Sequence, residues 1–370
     1  MRGTLRPTLE TVAARAEVSR QTVSNALNSP HLVRAETLER VLRVVGELEY
    51  RPHGAARQLR TSRSHVIGLR LEPTIDGISG AWLDLFLHAL TEQAQLRGYR
   101  VMLFTAADDD AEIGQYEELR DLVQVDAFVL TSTHHGDPRT RWLTAHRAPF
   151  VTFGRPWHSV GPIPAAPEHA WVDIDGAAGT RAAVEHLVEL GHRRIGYIGW
   201  PTGSDVGDDR RSGWREAMRA ADAVPDAELA TLRTETVDGV GTGSAAAQHL
   251  LATASPTAFV CASDSLALGA LATSRSNPGA AIAGTVPAVV GFDDTPVAHA
   301  VGLSSVAQPL TEAAGQTLAL LLALVHGERP STPAQWSEHQ VLLSPTLVAR
   351  DSSAQRSPPP TRKPTTTRTT

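Results

Sequence analysis

The sequence predicts a small all-α head followed by a two-lobed α/β body of parallel sheets flanked by helices. Two observations carry this expectation. Residues 8–49 hold three short segments whose apolar positions recur every three or four residues, the first two opened by Thr8 and Ser19. From His65 onward, short apolar runs alternate with amphipathic segments, the βαβα order that builds parallel sheets covered by helices.

The first head helix is expected from about Leu9 to Ala16, with Thr8 as its N-cap. "AEV" at 16–18 makes the turn. The second helix, in "SRQTVSNALN", is capped by Ser19. Its Val23 and Leu27 lie four apart and face inward with Val12, which leaves Arg20, Gln21, Ser24 and Asn25 pointing outward. The third, in "AETLERVLRVVGELEY", places Leu38, Val41, Leu42, Val45 and Leu48 along one stripe. Two helices joined by a tight turn and propped by a third form a helix-turn-helix unit, here residues 7–50. Pro52 stops the third helix. In the linker, residues 51–64, "GAARQLR" is long enough for about two turns of helix, too short to persist alone.

Seven strands are expected in the body: "VIGLRL", "RVMLF", "DAFVLT", "PFVTF", "RIGYIGW", "TAFVCA" and "VPAVVGF". The helices between them include "WLDLFLHALTEQAQLRG" and "AAGTRAAVEHLVELG". That many units exceeds one mononucleotide-type sheet, so two lobes are expected over residues 65–352. The tail, residues 353–370, is rich in Pro, Thr and Arg and is expected to be disordered.

Composition narrows the classes. Of 370 residues, 42% are apolar and 20% charged, ordinary for a globular protein. No apolar run approaches the roughly 20 residues that cross a bilayer. The N-terminus lacks the apolar block of a secretory signal, so a cytoplasmic location and no membrane partner are expected. A single cysteine, Cys261, excludes an intramolecular disulfide and a cysteine-rich metal site. The net charge is −6, but unevenly spread: residues 1–65 hold 11 Arg against six Glu, the last 20 residues are basic too, and residues 66–350 are left with −14. A basic head on an acidic body suggests a polyanion partner for the head alone.

The residues resemble the LacI/GalR family of bacterial transcription regulators over roughly residues 8–352. The head's "TLETVAARAEVSRQTVSNALN" and "RVLRVVGELEYRPHGAARQLRT" carry the resemblance, with "VDIDGAAGTRAAVEHLVELGHRRIGYIG", "SDSLALGAL", "VVGFDD" and "LVARDS" following in order. Two positions depart from the family pattern. Glu17 stands in the turn where the family usually has Gly, and Ser263 stands where many members carry Asn.

The resemblance implies a body like the periplasmic sugar-binding proteins, with a ligand between two lobes, and a head that reads DNA. In the major groove, Arg20 can donate to guanine, and Gln21 and Asn25 can pair with adenine. By analogy, Thr8, Ser19, Ser24, Asn28 and His31 contact phosphates and set register. Leu59, flanked by Arg57 and Arg60, matches the leucine that family members wedge into the minor groove. Two heads on a homodimer would read a palindromic operator. With no apolar repeat after Val348, no leucine-heptad tetramer is expected.

For the effector, Arg155 follows a strand, Arg210 matches the family's ligand-clamping arginine, and Asp293 stands where the family commonly has a ligand-binding carboxylate. Ser263 joins them, and so do Trp82 and Trp200 near strand ends, because flat indoles stack on the apolar faces of sugar rings. Trp157 and Trp214 are further aromatic candidates, with core packing the competing explanation. Asp264 is expected to cap the helix of "SLALGAL". The expected function is a transcriptional repressor whose operator affinity is controlled by a small molecule, a sugar by this reasoning. The alternatives are a regulator dependent on a corepressor, either a purine or a partner protein, and a sugar-binding protein with no DNA role. No cofactor, metal site or enzymatic activity is expected: nucleophile elbow, phosphate loop and HExxH spacing are all absent, and "THHGD" at 133–137 reads as solvated histidines.

Overall fold

A computed structural model of the chain describes residues 7–50, 63–71, 80–122, 124–157, 169–276 and 286–354. Two compact units emerge, divided between Ser64 and His65. In the first, α1 (Leu9–Arg15), α2 (Arg20–Asn28) and α3 (Ala35–Glu47) enclose Val12, Ala16, Val23, Ala26, Val41 and Val44. Thr8 caps α1 reciprocally: its hydroxyl accepts from the Thr11 amide at 3.2 Å, and its own amide donates to the Thr11 hydroxyl at 3.3 Å. Ser19 caps α2 by accepting from the Thr22 amide at 3.0 Å. Between them Glu17 takes φ +51°, and the Val18 amide donates back to the Ala13 carbonyl, the left-handed stop that glycine usually supplies. Along α3 the buried stripe runs through Val41 and Val44, and Leu42 is 48% exposed. This corrects the expected stripe: Val44, three residues after Val41, holds the inward position assigned to Leu42.

The second unit contains two six-stranded sheets. The first has strand order β11–β5–β4–β3–β1–β2, entirely parallel. Its strands are β1 (Val66–Arg70), β2 (Arg100–Phe104), β3 (Ala127–Leu130), β4 (Phe150–Phe153), β5 (Ala170–Ile174) and β11 (Gln340–Leu343). The second has order β12–β10–β9–β8–β6–β7, parallel except for the antiparallel β10–β12 pair. Its strands are β6 (Ile195–Gly199), β7 (Arg233–Glu235), β8 (Ala258–Cys261), β9 (Ala288–Phe292), β10 (Ser304–Ala307) and β12 (Thr346–Val348). Helices α4 (Ala81–Leu96), α5 (Asp109–Asp121) and α6 (Pro138–Ala145) accompany the first sheet. With the second go α7 (Gly176–Glu189), α8 (Val206–Ala220), α9 (Asp226–Leu229), α10 (Val240–Thr253), α11 (Asp264–Ser276) and α12 (Pro296–Ala300). Later in sequence, α13 (Leu310–Val325) returns to pack on the first sheet against α4, and α14 (Pro333–Ser337) adds Trp336 to the same core.

The chain therefore passes between lobes three times: from β5 to α7, from β10 to α13, and from β11 to β12. Each lobe has its own apolar core. One centres on Tyr197, Trp214, Phe259 and Phe292, the other on Ile67, Phe86, Val129 and Leu318. Strands β5, β7, β10, β11 and β12 are additions to the seven expected. β7 is a polar three-residue edge strand. Buried β10 opens with two serines whose hydroxyls are satisfied by the Arg350 carbonyl and Asp264, so its burial leaves no apolar run in the sequence. Residues 51–62 of the linker and 355–370 of the tail, with their sequence expectations, lie outside the described residues.

Candidate functional site

In the head, α2 presents Arg20 and Gln21 exposed, with Ser24 and Asn25 half-buried beside them. Arg20 and Gln21 begin the helix, and Asn25 follows one turn later, so their side chains share a face. In the free protein these groups are engaged with neighbours. Arg20 pairs with Glu10 at 2.7 Å, and the Gln21 amide donates to the Asn25 oxygen at 2.9 Å. Arg40 of α3 donates to the Ala16 carbonyl at 3.1 Å and ties the turn to the third helix. Thr8 and Ser19 accept the cap amides with their hydroxyl oxygens, which leaves each O–H able to donate. His31 lies exposed in a short 3₁₀ turn, Pro30–Leu32. The Asn28 side chain and all of Arg57, Leu59 and Arg60 lie outside the described residues.

In the body, a cavity of about 290 Å³ opens where the carboxyl ends of both sheets face each other. Trp82, Thr133, Phe153, Trp157 and Asp173 line it from the first lobe, and Trp200, Ser204, Asp209, Arg210 and Phe292 from the second. Four of the residues nominated from the sequence, Trp82, Trp157, Trp200 and Arg210, are thus brought together on its wall. Arg155, Ser263 and Asp293 stand behind that wall. Arg155 donates to Asp173 at 2.6 Å and to Asp209 at 2.9 Å, and its guanidinium lies 4.7 Å from the Trp157 ring centre. Burial pushes both carboxyls above their ordinary range, with Arg155 opposing the shift.

Arg210 lies flat on Phe292 at 3.6 Å, with the Trp200 ring centre 5.1 Å away. It donates to the Ala262 carbonyl and stands 3.5 Å from Asp293. Asp293 is 6% exposed, accepts from Gln308 at 2.7 Å, and is pushed by burial up to about 8, against the attraction of Arg210. Its φ is +106°, and that of Asp294 is +52°. Ser132 and Asp205, beside the cavity, also take positive φ, +53° and +46°. Non-glycine residues there cost about 1–3 kcal/mol each, a strain that gathers at working sites. Among the described residues, three buried polar atoms on lining residues have no protein partner: Trp157 Nε1, Arg210 Nε and Ser204 Oγ. All three are donors, so the cavity suits a ligand that offers acceptors.

Two sequence expectations are corrected here. Ser263, not Asp264, caps α11, because its hydroxyl accepts from the Leu266 amide at 3.2 Å. Asp264 instead reaches across to the Thr295 amide at 2.7 Å and the Ser305 hydroxyl at 2.6 Å. Trp214 belongs to the core, 1% exposed and stacked on Tyr197. Asp173, Asp209, Ser204 and Gln308 were not singled out from the sequence. Only the paired acids of "VDID" and "GDDRR" hinted at the first two.

Residues 8–53 match the lacI family of bacterial regulatory proteins, and residues 184–353 match the periplasmic binding protein-like domain. The regulator CelR of Thermobifida fusca is 37% identical over 330 residues, 86% of this chain and 91% of that one. The chain belongs to the LacI family. The regulator AglR of Rhizobium meliloti is 31% identical across 95% of this chain and 98% of its own. Among solved structures, a LacI-family regulatory protein from Chloroflexus aggregans superposes with TM-score 0.67 at 36% identity, covering 78% of this chain and all but 2% of its own. A CelR–cellobiose complex superposes at 0.64 with 30% identity, covering 94% of this chain and the whole of that one. Its relatives are transcription regulators rather than enzymes.

One cluster of this LacI-family regulator falls outside both sites. Asp109, His134 and Asp137 bring metal-type ligand atoms within 4.8 Å of one another. Buried Arg139 already occupies both Asp137 oxygens, at 3.0 and 2.7 Å, and stands 3.5 Å from Asp109. A cation there would face that guanidinium, so the arrangement fits an ion-pair network. No described helix is long and apolar enough to cross a membrane.

Proposed function

We propose that this LacI-family regulator is a repressor that binds a palindromic operator as a homodimer and releases it when a sugar enters the cavity of its body. The observation that carries the DNA half is the shared face of Arg20, Gln21 and Asn25 on α2, the helix that Ser19 caps. Their donors and acceptors match guanine and adenine edges, and Thr8, Ser19, Ser24, Asn28 and His31 set register on phosphates. Leu59 wedges the minor groove, with Arg57 and Arg60 beside it.

For the effector half, Trp82, Trp157 and Trp200 supply apolar faces, and the three unpartnered donors await hydroxyl or ring oxygens. Arg210 is the charged member of the expected set on the wall, with Arg155, Ser263 and Asp293 shaping the wall from behind. That a relative was solved with cellobiose supports a sugar. Ligand and DNA favour different arrangements of one molecule, so each weakens the other's binding.

The test is a gel shift on a palindromic fragment, with random duplex as competitor and a sugar panel added. Specific retention that one sugar abolishes is the expected result. No preference for any palindrome removes the DNA half, and a sugar that tightens binding replaces the inducer with a corepressor. Log affinity should fall with log salt at a slope of about −0.9 per phosphate neutralised.

A further inference from the structure

The ring nitrogen of the cavity indole Trp200 is held by the protein. Its Nε1–H donates to Asp238 Oδ1 at 3.0 Å. The same carboxylate oxygen accepts from the Ser263 hydroxyl, which in turn caps α11. Asp238 sits on the loop between β7 and α10, just before Gly239, whose φ of +152° a side chain rarely adopts. It does not line the cavity. Trp200 does, and Gly207 lies close beside it: a Cβ there would come 3.2 Å from the Trp200 Cβ and Cε3, and closer still to the Ser204 hydroxyl. The polar edge of the ring is therefore held. In contrast, the buried Trp157 Nε1 on the same wall has no partner among the described residues.

A sugar ring stacks on an indole through a flat apolar face, so affinity depends on the angle at which that face is presented. A tryptophan whose polar edge is free can pivot about its side-chain bonds, and ordering it on binding then costs conformational entropy. Asp238 removes that freedom before the ligand arrives and fixes Ser263 on the neighbouring helix start with the same oxygen.

We propose that Asp238 is a positioning residue for the effector: it holds the Trp200 ring and the Ser263 hydroxyl in the binding orientation without touching the ligand. The proposal rests on the sugar reading above and adds to it the residue through which the second lobe's indole is aimed. It also assigns Trp200 a fixed orientation in the free protein.

The experiment is calorimetric titration of the full chain with cellobiose, comparing wild type, Asp238→Ala, Asp238→Asn, Trp200→Phe and the Asp238→Ala/Trp200→Phe double variant. Thermal melts and the indole N–H resonances of the free proteins are recorded alongside. Asp238→Ala should weaken binding on the order of tenfold, the loss of one charge-assisted hydrogen bond. Asp238→Asn, whose carboxamide oxygen still accepts from the indole, should recover most of that affinity. If Asp238 acts through Trp200, removing it from the Trp200→Phe background should cost much less than from wild type. The Trp200 indole resonance should shift in Asp238→Ala and keep its place in Asp238→Asn. Equal cellobiose affinity in wild type and Asp238→Ala overturns the proposal alone, as do fully additive losses in the double variant. A wild-type protein that binds no cellobiose overturns this proposal, and one that binds no sugar of the wider panel overturns the sugar reading as well.

Discussion

The Arg155 guanidinium stands 2.9 Å from the Asp209 carboxylate, and through that contact the end of β4 in one lobe grips the first turns of α8 in the other. The same side chain holds Asp173 of its own lobe at 2.6 Å. At 22% and 15% exposure, Arg155 and Asp209 are shielded enough for the pair to be felt. A double-mutant cycle with Arg155→Ala and Asp209→Asn, read by denaturant melts, should give a coupling of about 1–3 kcal/mol. Additivity within about 0.5 kcal/mol would mean the contact joins the lobes in geometry only.

On the proposed reading, in which Arg20 meets a base, its pairing with Glu10 competes with DNA. Both side chains of the pair are about two-thirds exposed, so water already weakens the bond. Replacing Glu10 with Gln should tighten operator binding roughly two- to fivefold at low salt. Arg20→Ala should weaken it by about tenfold or more, and only on the cognate sequence. Loss of equal size on random duplex would place Arg20 on phosphate rather than on a base.

Glu17, at φ +51°, makes the turn between α1 and α2 in a conformation that costs an L-residue about 1–2 kcal/mol. Glu17→Val should lower the melting temperature of the head, since a β-branched side chain suffers most there. Glu17→Gly should leave it level or raise it, with strain relief set against the freer unfolded chain. Calorimetry of the three proteins decides, and a stabilising valine would contradict the strained turn.

For Leu59, expected to wedge the minor groove, Leu59→Ala should weaken operator binding strongly and random-duplex binding little. Equal losses on both would count against a wedge.

The buried carboxyl of Asp293 makes stability depend on pH. Its folded value of about 8 exceeds the unfolded value of about 3.9, so the native state holds a proton that the unfolded chain has lost. That contribution is complete below about pH 4 and fades as pH rises to 8. His169, lowered by burial to about 4, produces the opposite slope, but only below about 6.5. Asp264, raised by burial to about 6, has finished titrating by then. His134, whose desolvation is outweighed by hydrogen bonds to the His135 carbonyl and Asp109, adds to the downward trend. Melting temperature should therefore fall between pH 6.5 and 8 in the wild type and fall less in Asp293→Asn. An unchanged slope in the variant would show that Asp293 titrates elsewhere.

The head was almost wholly legible in the sequence, because Thr8, Ser19 and the helical spacing of Val12, Val23 and Val41 are local signals. Only Leu42 gave its inward place to Val44, since apolar residues at 41, 42, 44 and 45 offer helical periodicity a choice that packing alone settles. The body was legible where burial is apolar, as in β8 and β9. It was silent where burial is polar: β10 carries serines because Asp264 and the Arg350 carbonyl wait for their hydroxyls. The cavity followed the same rule. Indoles and Arg210 could be nominated from the sequence, while Asp209 and Asp238 matter through partners distant in the chain.

The three passages between lobes bear on how the body comes apart. A protease that severs one of them leaves two covalent tethers, so the fragments should stay together and keep a shared ligand cleft after nicking. The same three-fold tether lets the halves bend toward each other yet resists their sliding or swivelling, which channels any movement set off by a bound metabolite along a single path.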